Sequence, residues 1–299
     1  MASKFTSDAF LGETPDFNLR FPSLPKTLEE VLKLISEREE LPDTPRLADI
    51  VSADPIIAAF VLRRVNSVYH SVRRSVDDVR KAVRLLGYQE VVNIALAVGM
   101  MQLEEFMATE ERTTIFQDLM KASIGAAYFA QELAVPLRLP QKNKAFIVGL
   151  QHSVGRLVLL YNRARDYEAL WAATTNDFAP RVSDERKTFG TDHCELGARA
   201  LKWWNYPNTI TAVIRNYLRP GALKDRSLRG LALALSVAVS ASEQVCLSMT
   251  GKKGQAFFTP PPATHALARM TRKSSAYLID LVESKREQAV DYIGTMLRP

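Results

Sequence analysis

The chain has 299 residues, of which 47% are hydrophobic and 24% are charged, and 39 basic against 33 acidic side chains give a formal net charge of +6. This hydrophobic fraction allows a large buried core and excludes a generally disordered chain. The positive charge permits acidic partners, but it is too small to identify a class of ligand. Cys194 and Cys246 form neither a CxxC pair nor a disulfide framework, so a reducing, cytoplasmic location is expected.

Signals for export or membrane insertion are absent from the sequence. Residues 1–19 carry acidic side chains and lack a positively charged start followed by an apolar run. They are predicted to belong to a flexible N-terminal arm. The most apolar stretch, residues 228–239, is too short to cross a bilayer and is interpreted as a core helix, so no membrane partner is expected.

Apolar residues recur at spacings of three and four along most of the chain, and sustained alternation of apolar and polar residues is absent. This periodicity predicts an all-α fold of two packed helical subdomains without a significant sheet. Thr27 and Glu30 have the spacing of a capping box for the first helix. Thr44 and Asp54 each precede a proline, an arrangement that predicts a cap followed by the first helical residue.

Breaks in the helical pattern divide the chain into regions. Gly87 is predicted to end a helix, and the acidic residues around positions 104–111 are interpreted as the junction between two subdomains. Three consecutive prolines at positions 260–262 indicate a linker. The predicted regions are a flexible arm (1–20), an N-terminal helical subdomain (21–110), a second helical subdomain (111–250), a Pro-rich linker (251–265) and C-terminal surface helices (266–299).

Short motifs follow one another in order along most of the chain. The N-terminal subdomain contains FPSLP at residues 21–25, IVSADP at 50–55, the pair Asn66 and Ser67, and AVRLLG at 82–87. The second subdomain contains FIVGLQHSVGRL at residues 146–157, FGTDHCELGA at 189–198 and WNYP at 204–207. In this order, the motifs resemble the HD-related output domain (HDOD) family over roughly residues 21–247. The structural positions of the resemblance are Pro25, Asp54, Pro55, Asn66, Ser67, Gly87, Gly155, Gly190, Trp204 and Pro207.

The resemblance implies an all-helical, mostly bacterial module of signalling or interaction that is related in fold to the HD phosphohydrolases. Those enzymes gather histidines and carboxylates around one or two metal ions that activate water. The family segment ordinarily reads GLLHDIGKL, whereas here Ser153 follows His152, and the position that resembles the family's first histidine is Ala122. A hydroxyl and a methyl group replace two strong ligands, so no catalytic residue, no metal and no cofactor are expected.

Asp192 and His193 form the remaining vestigial HD-like positions. His152 lies in an apolar run and is interpreted as a hydrogen-bonded core histidine, and His193 as a capping or packing residue at a helix start. The sequence leaves open whether the two histidines converge in space. Trp203 and Trp204 are interpreted as the core of a helix corner and not as a base-stacking surface.

The densest group of positive charges lies between residues 63 and 84. Arg63, Arg64, Arg73 and Arg74 are candidates for binding an acidic surface on a partner, because a guanidinium pairs with a carboxylate in a bidentate manner. Solvent exposure on alternate helix faces explains the same pattern without a partner.

The leading hypothesis is a non-catalytic bacterial signalling or regulatory module that acts through protein–protein interaction or ligand sensing. Its expected partner is an unknown signalling protein, with an acidic surface if the arginines bind it. One alternative is a metal-dependent phosphohydrolase acting on a nucleotide or a cyclic dinucleotide. A weaker alternative is nucleic-acid binding through the arginine-rich stretch, so nucleic acid is not favoured as a partner.

Overall fold

The structure, a computed structural model, describes residues 9–14, 17–21, 24–36, 43–68, 76–107, 109–174, 177–249 and 258–297. Helices form nearly all of the secondary structure in these residues, and they share one continuous hydrophobic core that extends from Leu24 to Met296. The all-α prediction is therefore confirmed for the body of the protein.

A short hairpin near the N-terminus is the exception to the helical fold. Strand β1 (Ala9–Thr14) pairs antiparallel with β2 (Phe17–Phe21), and the register shifts between Phe10 and Glu13. This pairing corrects the expectation of a flexible arm for residues 9–14 and 17–20 and adds a small sheet, while residues 1–8, 15 and 16 lie outside the described residues. The sequence carries two signals for it: turn-forming Pro and Asp between the strands, and alternating Phe, Leu and Phe along β2.

Aspartate side chains cap three of the five N-terminal helices. They are α1 (Lys26–Ser36), α2 (Thr44–Ser52), α3 (Pro55–Val68), α4 (Val79–Leu86) and α5 (Tyr88–Met101), followed by a 3-10 helix (Gln102–Phe106). Asp54 caps α3 as predicted, and its Oδ1 accepts hydrogen bonds from the amides of Ile56 and Ile57 at 2.9 and 3.1 Å. In α2 the cap is Asp43 and not Thr44, because the Asp43 carboxylate accepts from an amide of the first turn.

One amide side chain joins α3 to Val76, which precedes α4. Asn66 donates from Nδ2 to the carbonyl oxygens of Leu62 and Val76 at 2.8 and 2.9 Å, and its Oδ1 accepts from the Val76 amide at 2.7 Å. Ser67 lies half-buried in α3. Gly87, with a φ of 83°, separates α4 from α5 in the left-handed half of backbone space that favours glycine.

The second half is built around two long helices that pack against each other. Its elements are α6 (Glu110–Ala134), a 3-10 helix (Lys142–Lys144), α7 (Ala145–Gln151), α8 (Val154–Asn162), α9 (Ala164–Ala172), α10 (Val182–Phe189), α11 (His193–Trp203), α12 (Asn208–Asn216), a 3-10 helix (Pro220–Ala222) and α13 (Arg226–Met249). Helix α6 lies between α7 and α13. By length and composition α13 could cross a membrane, but 72% of its apolar window is buried inside the protein, which is the position of a core helix.

Three helices complete the fold: α14 (Pro262–Thr271), α15 (Ser275–Ser284) and α16 (Arg286–Leu297). Helix α14 packs on α13, whereas α16 contacts both α6 and α5, and its Ala289 and Ile293 are fully buried. The expectation that the C-terminal helices lie on the surface is therefore wrong for α16, which is part of the core. Residues 262–265 were predicted to be part of the linker but belong to α14, because proline is tolerated in the first helical turn.

Helices α8 and α11 approach each other at a glycine. A Cβ atom on Gly155 would lie 1.9 Å from the carbonyl oxygen of His193 and 2.7 Å from the amide nitrogen of Gly197. Backbone atoms cannot move aside as a flexible side chain can, so this contact requires glycine. The close packing places the start of α11 directly against α8.

We expect Gly155→Ala to lower the free energy of unfolding by about 2–3 kcal/mol, because the added methyl group overpacks two backbones. Gly294→Ala is the matched control: Gly294 is helical in α16, no atom lies within 4 Å of the position that its new methyl group would take, and alanine should raise stability by up to about 1 kcal/mol. Urea unfolding measures both, and equal stability of the two variants would contradict the packing argument.

Candidate functional site

His152 and Ser153 lie at the junction of α7 and α8 and are buried. His152 Nδ1 is 2.8 Å from the carbonyl oxygen of Gly149, so Nδ1 carries the proton and donates. Its Nε2 is buried and has no hydrogen-bond partner among the described residues. Burial lowers the pKa of His152 to about 3; the Gly149 hydrogen bond opposes this shift and the charge of Arg156 adds to it.

Ser153 faces a second serine and not Ala122. The hydroxyl oxygens of Ser153 and Ser123 are 2.5 Å apart, and both side chains are buried. Ala122 belongs instead to a small cluster with Phe178 and Cys246. The α6 residue opposite Ser153 therefore contributes a neutral hydroxyl, and neither α6 position contributes an imidazole.

His193 is held at both ring nitrogens. Its Nδ1 lies 2.6 Å from Oε2 of Glu185, which also accepts from the His193 amide at 2.9 Å, and its Nε2 lies 2.7 Å from the hydroxyl oxygen of Tyr217. Asp192 caps α11, and its Oδ2 accepts from Arg186 Nε at 2.7 Å. The carboxylate of Asp192 is thus used in the helix start and in an ion pair.

Tyr217 brings the two histidines together. Its ring centroid is 6.3 Å from that of His152 and 6.1 Å from that of His193, and all three side chains are buried. This packing answers the question that the sequence left open: the two imidazoles converge on one tyrosine.

Arg156, one helical turn after His152, connects three parts of the second half. Its Nε donates to Oε1 of Glu185 at 3.4 Å, its Nη1 to Oε1 of Glu243 at 3.4 Å, and its Nη2 to the carbonyl oxygen of Pro180 at 3.3 Å. The Arg156 side chain is only 7% exposed. Each nitrogen of the guanidinium therefore has an oxygen partner inside the protein.

The electrostatics of this network favour a fixed cation. Burial opposes the charge of Arg156, but attraction by Glu185, Tyr217 and Glu243 raises its pKa above the ordinary value. Burial would raise the pKa of Glu185, yet His193 and Arg156 hold it below the ordinary value. Burial raises the pKa of Glu243, and Arg156 only partly offsets that effect. For His193, burial and the charge of Arg156 lower the pKa.

The sequence motifs did not indicate four members of the network: Arg156, Glu185, Tyr217 and Glu243. The spacing of four between His152 and Arg156 within one motif was a usable signal, because a spacing of four predicts one helix face. In the structure His152 precedes the first residue of α8, which contains Arg156. Glu185 gave no signal, because it lies in the strongly charged stretch VSDERK and looks like a solvated residue.

The candidate partner-binding arginines differ in their surroundings. Arg64 pairs through Nε with Oε1 of Glu90 at 3.0 Å, and its guanidinium lies 5.1 Å from the centroid of the Tyr292 ring. The guanidinium of Arg63 lies 4.1 Å from the centroid of the Phe60 ring. Arg64 is therefore engaged within the fold, while Arg73 and Arg74 lie outside the described residues.

The aromatic side chains at the end of α11 differ in burial. Trp204 is 9% exposed, as the core interpretation requires, and Tyr206 is buried and accepts from Gln151 Nε2 at 3.0 Å. Trp203 is 48% exposed, so the core interpretation is wrong for it. Successive helical residues point about 100° apart, which places only one of the pair inward. Three other family positions lie in the core or at helix ends: Pro25 is buried, Gly190 ends α10 at a φ of 69°, and Pro207 precedes α12.

The donors at the HD-like position do not fit a divalent metal centre. Within the described residues, no group of three or more His, Cys, Asp or Glu side chains is arranged to hold a metal ion. The polar side chains around His152 are the hydroxyls of Ser123, Ser153 and Tyr217, the guanidinium of Arg156, and one further imidazole, His193, whose two ring nitrogens are already paired. A divalent cation needs anionic oxygens or several imidazoles, and a fixed positive charge repels it.

The depressed pKa of His152 predicts a pH-dependent stability. In the folded state its pKa is about 3, against an ordinary value of 6.5, so the unfolded chain binds the extra proton between these values. Stability should therefore fall as pH drops below 6.5, by about 1 kcal/mol for one histidine between about pH 7 and pH 5.5. The lowered pKa of His193 acts in the same direction.

Urea unfolding at the two pH values checks this expectation. His152→Gln should reduce the loss of stability on acidification, whereas the variant of the exposed His265, His265→Gln, should keep the full loss. An unchanged pH dependence in His152→Gln would show that the buried imidazole is not its source.

Comparison with known proteins identifies the family. A model of the HDOD domain matches residues 21–220. The chain is 26% identical over 204 residues to an uncharacterized protein of Treponema pallidum (strain Nichols), a match that covers 65% of this chain and 37% of that protein. The chain thus spans just over a third of the length of this relative.

Three solved structures have the same fold at low sequence identity. An HDOD domain protein of unknown function from Geobacter sulfurreducens gives a TM-score of 0.71 at 16% identity and covers 93% of this chain and 94% of its own. A candidate signal transduction protein from Marinobacter aquaeolei VT8 gives 0.67 at 21% identity, with 93% and 60% covered. A candidate phosphohydrolase from Shewanella amazonensis SB2B gives 0.61 at 20% identity, with 92% and 95% covered. The family match over residues 21–220 and this shared all-helical fold establish that the chain belongs to the HDOD family.

Proposed function

We propose that this chain is a non-catalytic regulatory module of bacterial signalling that acts in the cytoplasm by binding a protein partner or sensing a ligand. The observation that carries this proposal is the buried network of Arg156, Glu185, His193 and Tyr217 in the second half of the chain, which contains the HD-like positions. It uses the polar side-chain atoms of Arg156, Glu185 and His193 for contacts within the protein.

Two features of the network argue against hydrolysis. Metal-assisted phosphoester hydrolysis needs an ion with an open coordination position, an activated water and access for the phosphate. His152 and His193 are fully buried, and both ring nitrogens of His193 are already paired. The permanent charge of Arg156 occupies the region where a divalent ion would add two further positive charges.

We expect protein purified without chelator to contain far less than one divalent metal ion per chain, because the donor set is too weak to hold it. Assays with added manganese on mononucleotides and cyclic dinucleotides should give no turnover above the buffer rate. Elemental analysis and product detection measure the two quantities, with His152→Ala as the matched variant. About one metal per chain, with turnover abolished in His152→Ala, would establish the phosphohydrolase alternative.

For the partner, we propose a signalling protein with an acidic surface. The net charge of +6 and the arginine-rich stretch support an electrostatic contribution to its binding. Arg63 and Arg64 contact Phe60 and Glu90, so changing either would also disturb packing within the fold. Arg73 and Arg74 are therefore the residues chosen for the test.

Reversing both charges with Arg73→Glu and Arg74→Glu should weaken capture of the partner from native lysate at least about tenfold, because attraction becomes repulsion. The melting temperature should stay unchanged. A matched control, Arg165→Glu with Lys187→Glu, reverses two exposed charges elsewhere and should retain capture. Equal capture by both double variants would reject this surface as the binding site.

A further inference from the structure

The C-terminal end of α11 presents an exposed tryptophan beside two cations. Trp203 is 48% exposed. Arg199 lies four residues before Trp203 and three before Lys202, the two spacings that make side chains neighbours on a helix surface. Together with Asn205, these residues line an open cleft of about 490 Å³. This volume lies within the range of about 300–1,000 Å³ that is usual for small-molecule sites.

Positive charge is in excess around this cleft. Glu195 faces both Arg199 and Arg215, and its carboxylate oxygens lie 3.1 and 3.0 Å from their Nε atoms. One negative charge is therefore shared by two guanidinium groups, and Lys202 forms no ion pair within the described part of the chain. Three cations against one carboxylate leave two uncompensated positive charges, which suit the oxygens of a phosphate.

The Trp203 ring is held in place at the protein surface. The next residue, Trp204, is buried, and the Asn205 amide donates to the carbonyl oxygen of Lys202 at 3.1 Å. Asn205 has a φ of 59°, a left-handed conformation that asparagine tolerates better than most residues. These contacts fix the end of α11, so the indole and the Asn205 side chain keep their places at the cleft.

A second exposed aromatic residue shows what Trp203 lacks. The ammonium of Lys273 lies 5.0 Å from the centroid of the Tyr277 ring, so that ring and that cation satisfy each other. Among the described residues, no cation or second ring lies over Trp203. Its large apolar face is open to a ligand.

We propose that this cleft binds a purine nucleotide, with the base stacked on Trp203 and the phosphates paired with Arg199 and Lys202. Indole rings stack on any base, and a purine offers the larger face. Side chains at these helical spacings have Cβ atoms about 5–6 Å apart, so the ring and the anion must belong to one small ligand. The Asn205 amide offers a donor and an acceptor to the base edge.

The inference deepens the ligand-sensing part of the proposed function. It rests on that function in one respect, namely that the nucleotide is bound and not hydrolysed. The cleft lies at the surface, whereas the Arg156 network is buried. Trp203 was expected in the core and not at a base-stacking surface, and its exposure reverses that expectation.

The test measures ADP binding to the wild-type protein by calorimetry and by quenching of tryptophan fluorescence, in chelator and at low salt. Adenosine carries the ring without phosphates, and pyrophosphate carries the phosphates without a ring. Each should bind at least about tenfold more weakly than ADP, because each lacks one of the two kinds of contact. Added salt should weaken ADP binding, since it screens exposed charges.

Substitutions separate stacking from charge. Trp203→Ala should weaken ADP binding at least about tenfold, and Trp203→Phe should retain most of it. Lys202→Gln should weaken binding severalfold and reduce its dependence on salt. Tyr277→Ala and Lys273→Gln remove an exposed ring and its cation elsewhere, so these matched controls should bind ADP as the wild-type protein does. Melting temperatures should stay unchanged, because the substituted side chains of Trp203 and Lys202 are exposed.

The proposal is overturned if the wild-type protein binds no ADP at millimolar concentration, or if Trp203→Ala binds it as tightly as Tyr277→Ala. A single-stranded oligoadenylate that binds at least about tenfold more tightly than ADP would also overturn it, in favour of a nucleic-acid surface. These outcomes are separable from the proposed function. Turnover with manganese would reject non-catalysis and leave ADP binding in chelator intact, whereas absence of ADP binding would leave partner capture intact.

Discussion

The second half of this protein depends on one buried positive charge. Arg156 is almost withdrawn from water, so its guanidinium is stable there only because oxygens of Glu185, Glu243 and Pro180 receive its hydrogen bonds. Removing one partner of such a pair costs about 3–5 kcal/mol, a large share of the total stability of a domain. The helices that carry these partners must therefore keep their relative positions.

This constraint supports the proposal that a fold related to hydrolases persists here without their chemistry. A metal ion joins ligands from several helices, and the guanidinium joins α8, α10 and α13 by the same electrostatic principle. A metal has open positions for water and substrate, whereas all three guanidinium nitrogens here are already paired within the protein. Under the proposed function, the guanidinium preserves the architecture without a reactive metal centre.

The sequence predicted those parts of the structure that depend on local chemistry. Periodicity predicted the helices. The proline after Asp54 predicted the start of α3, and Gly87 predicted the end of α4. It could not reveal the Arg156 network, since the partners lie 24 to 87 residues away in the chain. Glu185 looked solvated because its helix carries many charges, and only tertiary packing turns it inward. The sequence also could not show that Ser123, and not Ala122, faces Ser153.

The N-terminal hairpin packs against the helices that carry the buried charge network. The backbone of β2 lies against α8, and β1 approaches α11, the two helices that meet at Gly155. The segment before the family-matched region thus packs on the helices that carry Arg156 and His193. The side chains of Arg156 and His193 are themselves buried and hydrogen-bonded within the protein. The burial of these side chains and the neutralisation of Arg156 by internal carboxylates both support the proposed module, which is recognised by its surface and does not admit a substrate to its centre.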